Sequence, residues 1–254
     1  MRVFLAGVAP WRNEGIYDQT ILQHKPFVLE SFFYADEDTE RLIPYFGDFL
    51  LDSGAFTFCG TGKFDSRKFD EYIHKYADFI NRNHVDKFFE LDIDSIVGYE
   101  KVIEYRKLLE KLTCKQCIPV WHMSRGKEEF IRHCKEYNYV ALGGYVAAVK
   151  ANDPRQKAYV NSYPWFIHTA HENNAKIHGL GFTSLNLLPK YHFDSVDSTA
   201  WTTGNRFGYV YKFNGKTMIK IDCPKGKRLA DSRRVALINY IEWIKYQKYA
   251  VTHL

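Results

Sequence analysis

Nowhere in its 254 residues does the chain hold the run of about 18 uninterrupted apolar positions that a membrane helix needs; even 141–149 is short and carries two glycines. A soluble protein is expected. Cysteine is scarce: five residues, at 59, 114, 117, 134 and 223, form an odd set, and no secretory leader precedes the apolar start at 1–8. A reducing cytoplasm is therefore the expected compartment. Also lacking are His-x-His and His-Glu-x-x-His pairs, which counts against a catalytic zinc of the hydrolase kind, and no fixed-period repeat or Pro/Ser linker divides the sequence. Cys114 and Cys117 form one Cys-x-x-Cys. A zinc there would have to borrow ligands from His122, His133 and Cys134, and the pair precedes a strand instead of opening a helix as a redox motif does, so two ordinary thiols are expected.

What is present is the composition of an ordinary globular protein, 46% hydrophobic, 17% aromatic and 26% charged, at a length that supports one large domain over 1–254. The formal charge is +5, unevenly spread. Between Lys212 and Lys248 ten basic residues face three acidic ones, so this segment is +7 and the remainder −2. A basic C-terminal helical segment with interleaved aromatics suits a phosphate backbone, or simply a solvated face.

Short apolar runs rich in β-branched and aromatic residues recur at 3–8, 49–51, 88–91, 118–121, 140–142, 177–180 and 193–196, and read as buried strands. Helical periodicity lies between them at 66–83, 98–112, 127–137 and 154–173, with a short helix near 184–188 and a hairpin or loop over 204–226. This alternation predicts a parallel α/β fold, a (β/α)8 TIM-like barrel ahead of an open doubly wound sheet.

In such a barrel reactive groups gather where strands end. Carboxylates dominate those positions: Asp52 opens Asp52-Ser53-Gly54-Ala55-Phe56, Asp92 and Asp94 follow Phe88-Phe89-Glu90-Leu91, and Asp194 and Asp197 sit in Phe193-Asp194-Ser195-Val196-Asp197-Ser198. His122 follows the 118–121 run and Gly143-Gly144 the next. One such Asp is often only a loop cap; several at separate strand ends suit metal binding or acid/base and nucleophilic chemistry at a sugar carbon.

Read in order, these motifs resemble the tRNA-guanine transglycosylase superfamily, barrel enzymes that exchange guanine in a polynucleotide for a 7-deazaguanine. Asp52-Ser53-Gly54-Ala55-Phe56 is similar to the family's Asp-Ser-Gly-Gly-Phe/Tyr, with Ala55 in place of a glycine. Phe89-Glu90-Leu91-Asp92 and Ala141-Leu142-Gly143-Gly144 are similar to the strand ends that read the base, His178-Gly179-Leu180-Gly181 to the strand before the nucleophile, and Phe193-Asp194-Ser195-Val196 to the nucleophile strand itself. The family's base-reading Gln is replaced by Trp121-His122, and its C-terminal zinc ligands are absent. With no room for appended RNA-binding domains before Leu254, the chain most resembles the compact DpdA-type enzymes that act on DNA.

The resemblance implies Asp194 as the nucleophile at C1′, with Asp197 as the alternative if the strand register is offset, and Asp52 as the acid/base. Ser53, Phe56, Asp92, His122, Gly143, Gly144 and Gly179 would bind the base, Phe56 by stacking on it. Arg206, Lys225, Lys227 and Arg228 would hold phosphates, with Trp201 or Tyr209 stacking a neighbouring base. The implied partners are DNA, with tRNA second, and a free 7-deazaguanine such as preQ0; there is room for a helper ATPase and a homodimer, and no cofactor, metal or membrane is called for. The rival readings are a tRNA enzyme docking through a partner subunit, a non-catalytic nucleic-acid-binding barrel, and an unrelated metal-dependent barrel hydrolase.

Overall fold

The computed structural model describes residues 1–7, 16–54, 57, 68–143, 154–182, 184–224 and 231–254, with the side chains of all but 16, 17, 154–157, 205 and 206. In chain order its strands and α-helices are β1 (Arg2–Ala6), α1 (Ile16–His24), β2 (Phe27–Ser31), α2 (Glu37–Leu42), β3 (Asp48–Asp52), α3 (Lys68–Arg82), α4 (Asp94–Val97), α5 (Tyr99–Thr113), β4 (Val120–Trp121), α6 (Gly126–Glu136), β5 (Tyr139–Leu142), α7 (Pro154–Glu172), β6 (Lys176–Gly179), β7 (Ser195–Ser198), α8 (Gly204–Phe207), β8 (Tyr209–Phe213), β9 (Met218–Asp222) and α9 (Ser232–His253). The main sheet has the order β3-β2-β1-β7-β6-β5-β4, and β8 and β9 form a separate hairpin. β1 lies parallel to β2 and β7, and β5 parallel to β4 and β6. An eighth extended segment at Phe88 and Phe89 bridges Leu51 on one side and Ile118 on the other, both in parallel, so β3 and β4 are joined through it. The fold is α/β of the TIM-barrel type, as the alternation of the sequence predicts.

The chain's internal contacts divide it into two compact units, Met1–Leu29 with Glu37–Phe49 and Gly181–Leu254, and Glu30–Asp36 with Leu50–Leu180. In the first, Val3, Phe4 and Leu5 of β1 are buried, as a strand covered on both faces requires. Its long helix α9 starts at Asp231, whose Oδ1 accepts the Arg233 and Arg234 amides at 3.1 and 2.9 Å, the N-cap arrangement. Gln247 of α9 donates from Nε2 to the carbonyls of Val3 and Phe27, each at 2.7 Å, tying the helix to β1 and β2. Asn239 accepts the Tyr211 amide at 2.6 Å and donates to the Trp201 carbonyl at 3.2 Å, fixing β8 and the turn at Trp201 to the same helix.

In the second unit, α3 buries Phe69, Ile73, Tyr76, Ala77 and Ile80, an i, i+4, i+7, i+8, i+11 stripe, and α5 buries Val102, Tyr105, Arg106, Leu109 and Thr113, an i, i+3, i+4, i+7, i+11 stripe. An arginine on that apolar stripe demands a buried partner. α5 stops at Cys114, which adopts the left-handed conformation at φ 53°. Cys114 is exposed and Cys117 buried, and both are free thiols.

The structure departs from the sequence expectations at several points. β7 begins at Ser195, two residues later than the 193–196 run suggests, because Phe193 packs its ring on Phe182 at 5.5 Å instead of entering the strand. β2, α1 and α2 are further elements that the sequence pattern does not announce. Trp201 cannot stack a base from its position: it is 0% exposed, its indole N–H donates to the Ala6 carbonyl at 2.8 Å, and its ring meets Tyr240. Tyr209 is likewise buried. The expected hairpin in 204–226 is β8–β9, and the basic segment from 212 to 248 is divided between this hairpin and α9. Among the described residues no helix is long and apolar enough to cross a membrane.

Candidate functional site: a carboxylate–histidine cluster

The second unit places Asp92 just after the Phe88–Phe89 segment and His122 just after β4, at the C-terminal ends of neighbouring parallel strands. His122 Nε2 lies 2.8 and 2.7 Å from the two carboxylate oxygens of Asp92. Burial works against the imidazolium, but the Asp92 hydrogen bond and charge outweigh it and raise the His122 pKa above its ordinary value. The ring rests on Gly143: a Cβ there would stand 2.3 Å from His122 Cε1, so only glycine fits beneath it. Gly143 is held in turn by its amide on the Trp121 carbonyl at 2.7 Å and by the Tyr159 hydroxyl on its own carbonyl at 3.0 Å.

Behind this pair sits Arg125, 1% exposed, which a 3-10 turn at Met123–Arg125 folds back onto the strand ends. Its guanidinium donates to Glu90 Oε1 at 2.7 Å, Asp92 Oδ1 at 3.0 Å, Asp94 Oδ2 at 3.2 Å and the Val120 carbonyl, and lies 4.3 Å over the Tyr99 ring. Glu90 is fully buried. Burial alone would raise its pKa, yet Arg106, whose Nε donates to Oε2 at 2.6 Å, and Arg125 hold it below the ordinary carboxylate value, helped by the Val120 amide at 2.8 Å. Arg106 reaches on to Tyr99 at 3.1 Å and His133 Nε2 at 3.2 Å, while the Tyr99 hydroxyl donates to Glu129. Burial first, then Arg106, lower the His133 pKa to about 4, so at neutral pH its Nε2 is an acceptor. Its buried Nδ1 has no hydrogen-bond partner among the described residues.

Asp92 is thus fixed from behind by an arginine and flanked by an imidazole whose protonated form it favours. Each side chain is partly open, 18% for Asp92 and 30% for His122. Asp92, Asp94 and His122 also offer three ligand atoms within 4.8 Å of one another, the one trio among the described residues that could share a cation. Arg125 already places a positive charge against both carboxylates.

Asp52 ends β3, and its Oδ2 accepts the Gly54 amide at 2.9 Å. Gly54 has φ +84°, and a Cβ on it would meet Phe33 Cβ at 2.7 Å and the Tyr72 hydroxyl at 2.9 Å, which explains the glycine of Asp52-Ser53-Gly54. The Tyr72 hydroxyl donates to the Ser53 carbonyl at 2.7 Å; the buried Ser53 hydroxyl has no partner among the described residues. Gly179 ends β6, opposite Leu142.

In the first unit Asp194 precedes β7. Its carbonyl accepts the Arg2 amide at 2.8 Å where β1 begins, which is the end of the strand pair opposite to the one where barrel chemistry collects. Asp197 lies in the second half of β7, opposite Phe4, and is buried, with Oδ1 accepting the Gly181 amide at 2.6 Å. The strand-end carboxylate is therefore Asp197, three residues on from the one expected. Phe56, Gly144, Lys225, Lys227 and Arg228, and the side chain of Arg206, lie outside the described residues.

Glu90, Arg125, Arg106, Tyr99 and Glu129 have no functional role in the sequence reading, and His133 appears there only as a loose zinc-ligand candidate. Glu90 within an apolar strand run and Arg106 on the apolar face of α5 were visible signals of a buried ion pair.

No family model matches the chain, and no curated protein sequence matches it. Among solved structures it is similar to the octameric ribulose-1,5-bisphosphate carboxylase/oxygenase of Pyrococcus horikoshii OT3, at TM-score 0.42 and 12% identity, over 99% of this chain and 61% of that one. It is also similar to a D-allulose 3-epimerase from Methylomonas sp., at TM-score 0.41 and 12% identity, over 97% of this chain and 98% of that one.

Proposed function

We propose that the chain is a guanine transglycosylase that exchanges guanine in DNA for a 7-deazaguanine base. The observation that carries this reading is the Asp92–His122 pair resting on Gly143. Guanine offers two N–H donors beside a carbonyl acceptor on one edge, and a fixed carboxylate beside an imidazole biased towards its protonated form is the complementary pair. His122 thus takes the place of the family's base-reading amide with an imidazole.

In this reading Asp197 is the nucleophile, in place of Asp194. Its carboxylate attacks C1′ of the sugar, the C1′–N9 bond breaks, and its electron pair leaves with guanine, which takes a proton from Asp52. The incoming deazaguanine then gives its N9 proton to Asp52 and attacks C1′, releasing the Asp197 carboxylate. The reaction is balanced and consumes no other reactant. The test is denaturing electrophoresis of the protein after incubation with guanine-containing DNA or tRNA: a covalent adduct with wild type and with Asp194→Asn, lost in Asp197→Asn, supports the reading, and the polynucleotide that shifts identifies the substrate.

A metal-dependent barrel enzyme is the second reading, favoured by the Asp92, Asp94 and His122 trio. A stoichiometric divalent ion in the purified protein, with chelation abolishing its binding of guanine or deazaguanine, selects this reading over the first.

A further inference from the structure

The two edges of the β8–β9 hairpin are unlike. Lys212 faces Ile219 and Val210 faces Ile221, and at the hairpin base the Cys223 amide donates to the Gly208 carbonyl at 2.7 Å. Because bonded and non-bonded pairs alternate in an antiparallel ladder, Tyr209, Tyr211 and Phe213 turn their amides and carbonyls to the outer edge of β8, and Met218, Lys220 and Asp222 turn theirs to the outer edge of β9. The β8 edge is occupied: the Tyr211 amide donates to Asn239 Oδ1 at 2.6 Å and the Phe213 amide to Glu242 Oε2 at 2.7 Å. Along β9 no described residue takes the outward groups, and residues 219–222 are all exposed, Ile219 at 42% and Ile221 at 49%.

Such an edge is a template for another strand. We propose that β9 pairs antiparallel with β9 of a second copy, about a two-fold axis at Ile221, joining the two hairpins into one four-stranded sheet. The charge pattern selects both the partner and the register. Centring the axis on Ile221 sets Lys220 of each copy opposite Asp222 of the other, twice, in pairs that also exchange the outward backbone hydrogen bonds. Centring it on Lys220 or Asp222 sets like charges face to face. The same register stacks Ile221 on its own copy and covers the two exposed isoleucines, the surface apolar side chains of the strand. A phosphate backbone suits this edge less well, since Asp222 stands in it and Lys220 lies over the Tyr209 ring at 4.5 Å. A five-residue edge falls short of the ~1,000 Å² that a stable interface clears, so the dimer is weak and concentration-dependent.

Sedimentation of the full chain over a concentration series tests this. Wild type is expected to pass from monomer to dimer, Lys220→Glu to remain monomeric, and Lys220→Glu with Asp222→Lys to dimerise again. Register is read separately: with Cys59, Cys114 and Cys223 replaced by Ser, Ile221→Cys cross-links on mild oxidation, because a non-bonded pair brings the two Cα atoms to about 4.5 Å, within disulfide reach. Ile219→Cys does not. A wild type that stays monomeric, a charge-swapped double variant no better than the single one, or equal cross-linking at 219 and 221 overturns the proposal. So does a set of β9 variants that leave sedimentation unchanged and weaken only the binding of duplex DNA, which would give the hairpin to the nucleic acid.

Discussion

Replacing Arg125 by leucine removes the cation that three carboxylates share. Glu90, 0% exposed, keeps Arg106 and the Val120 amide but loses a charge 2.7 Å away, and Asp92 and Asp94 lose donors at 3.0 and 3.2 Å. Removing one partner of a buried ion pair costs about 3–5 kcal/mol, because the other charge stays buried. For a domain of this size that is a fall in Tm of roughly 10 °C. The pH dependence carries the more specific signature. In wild type the Glu90 pKa is lowered, so its contribution is present above the unfolded value and lost as pH falls through the folded value. In Arg125→Leu burial is opposed by one arginine instead of two, so the deficit against wild type is largest at neutral pH and narrows as Glu90 protonates. Adding Glu90→Gln recovers part of the loss, with a coupling on the order of 1–3 kcal/mol. Urea unfolding of the four proteins at neutral and acid pH reads all of this; a deficit under about 1 kcal/mol, or one that does not change with pH, refutes the account of Arg125 as the keystone of the cluster.

Other consequences are open to direct measurement. His133 has its pKa lowered to about 4, so the unfolded chain takes up a proton before the native one does. Native stability should then fall as pH drops from the ordinary histidine value towards 4, by up to about 1.4 kcal/mol per unit, and His133→Leu should flatten that limb in unfolding titrations; an unchanged slope contradicts the assignment. Gly143→Ala drives a methyl into the His122 ring and should separate it from Asp92, costing about 1–3 kcal/mol and moving the His122 imidazole resonances in an NMR titration towards an ordinary pKa. Retention of the raised pKa in that variant would show that the ring does not rest where the geometry puts it.

Much of this architecture is legible in the residues. The strands around 3–6, 49–51 and 140–142 are apolar because both their faces are covered, and α3 and α5 announce themselves by their buried stripes. β2 escapes because Phe27-Val28-Leu29 is cut short by Glu30 and runs into Phe32 and Phe33 of a 3-10 turn. The register of β7 is misplaced because an apolar run cannot tell a strand residue from a loop aromatic, and Phe193 is the latter. Trp201 follows the same logic in reverse: a tryptophan in a polar stretch looks available for stacking, but its indole N–H is spent on Ala6. Asp92 and His122 are visible as strand-end polar groups, whereas their contact is not, since it depends on parallel neighbours 30 residues apart. Arg125 is least legible, because only the turn at Met123–Arg125 brings it back over the carboxylates.

The most direct test of the central claim is covalent trapping on guanine-containing DNA, with wild type, Asp194→Asn and Asp197→Asn compared side by side on a denaturing gel. A protein–DNA adduct that survives in Asp194→Asn, disappears in Asp197→Asn and is resolved by added deazaguanine is the expected result. An adduct lost in Asp194→Asn and kept in Asp197→Asn would contradict the placement of the nucleophile at the exit of β7, and the absence of any adduct or base exchange with either DNA or tRNA would contradict transglycosylation itself.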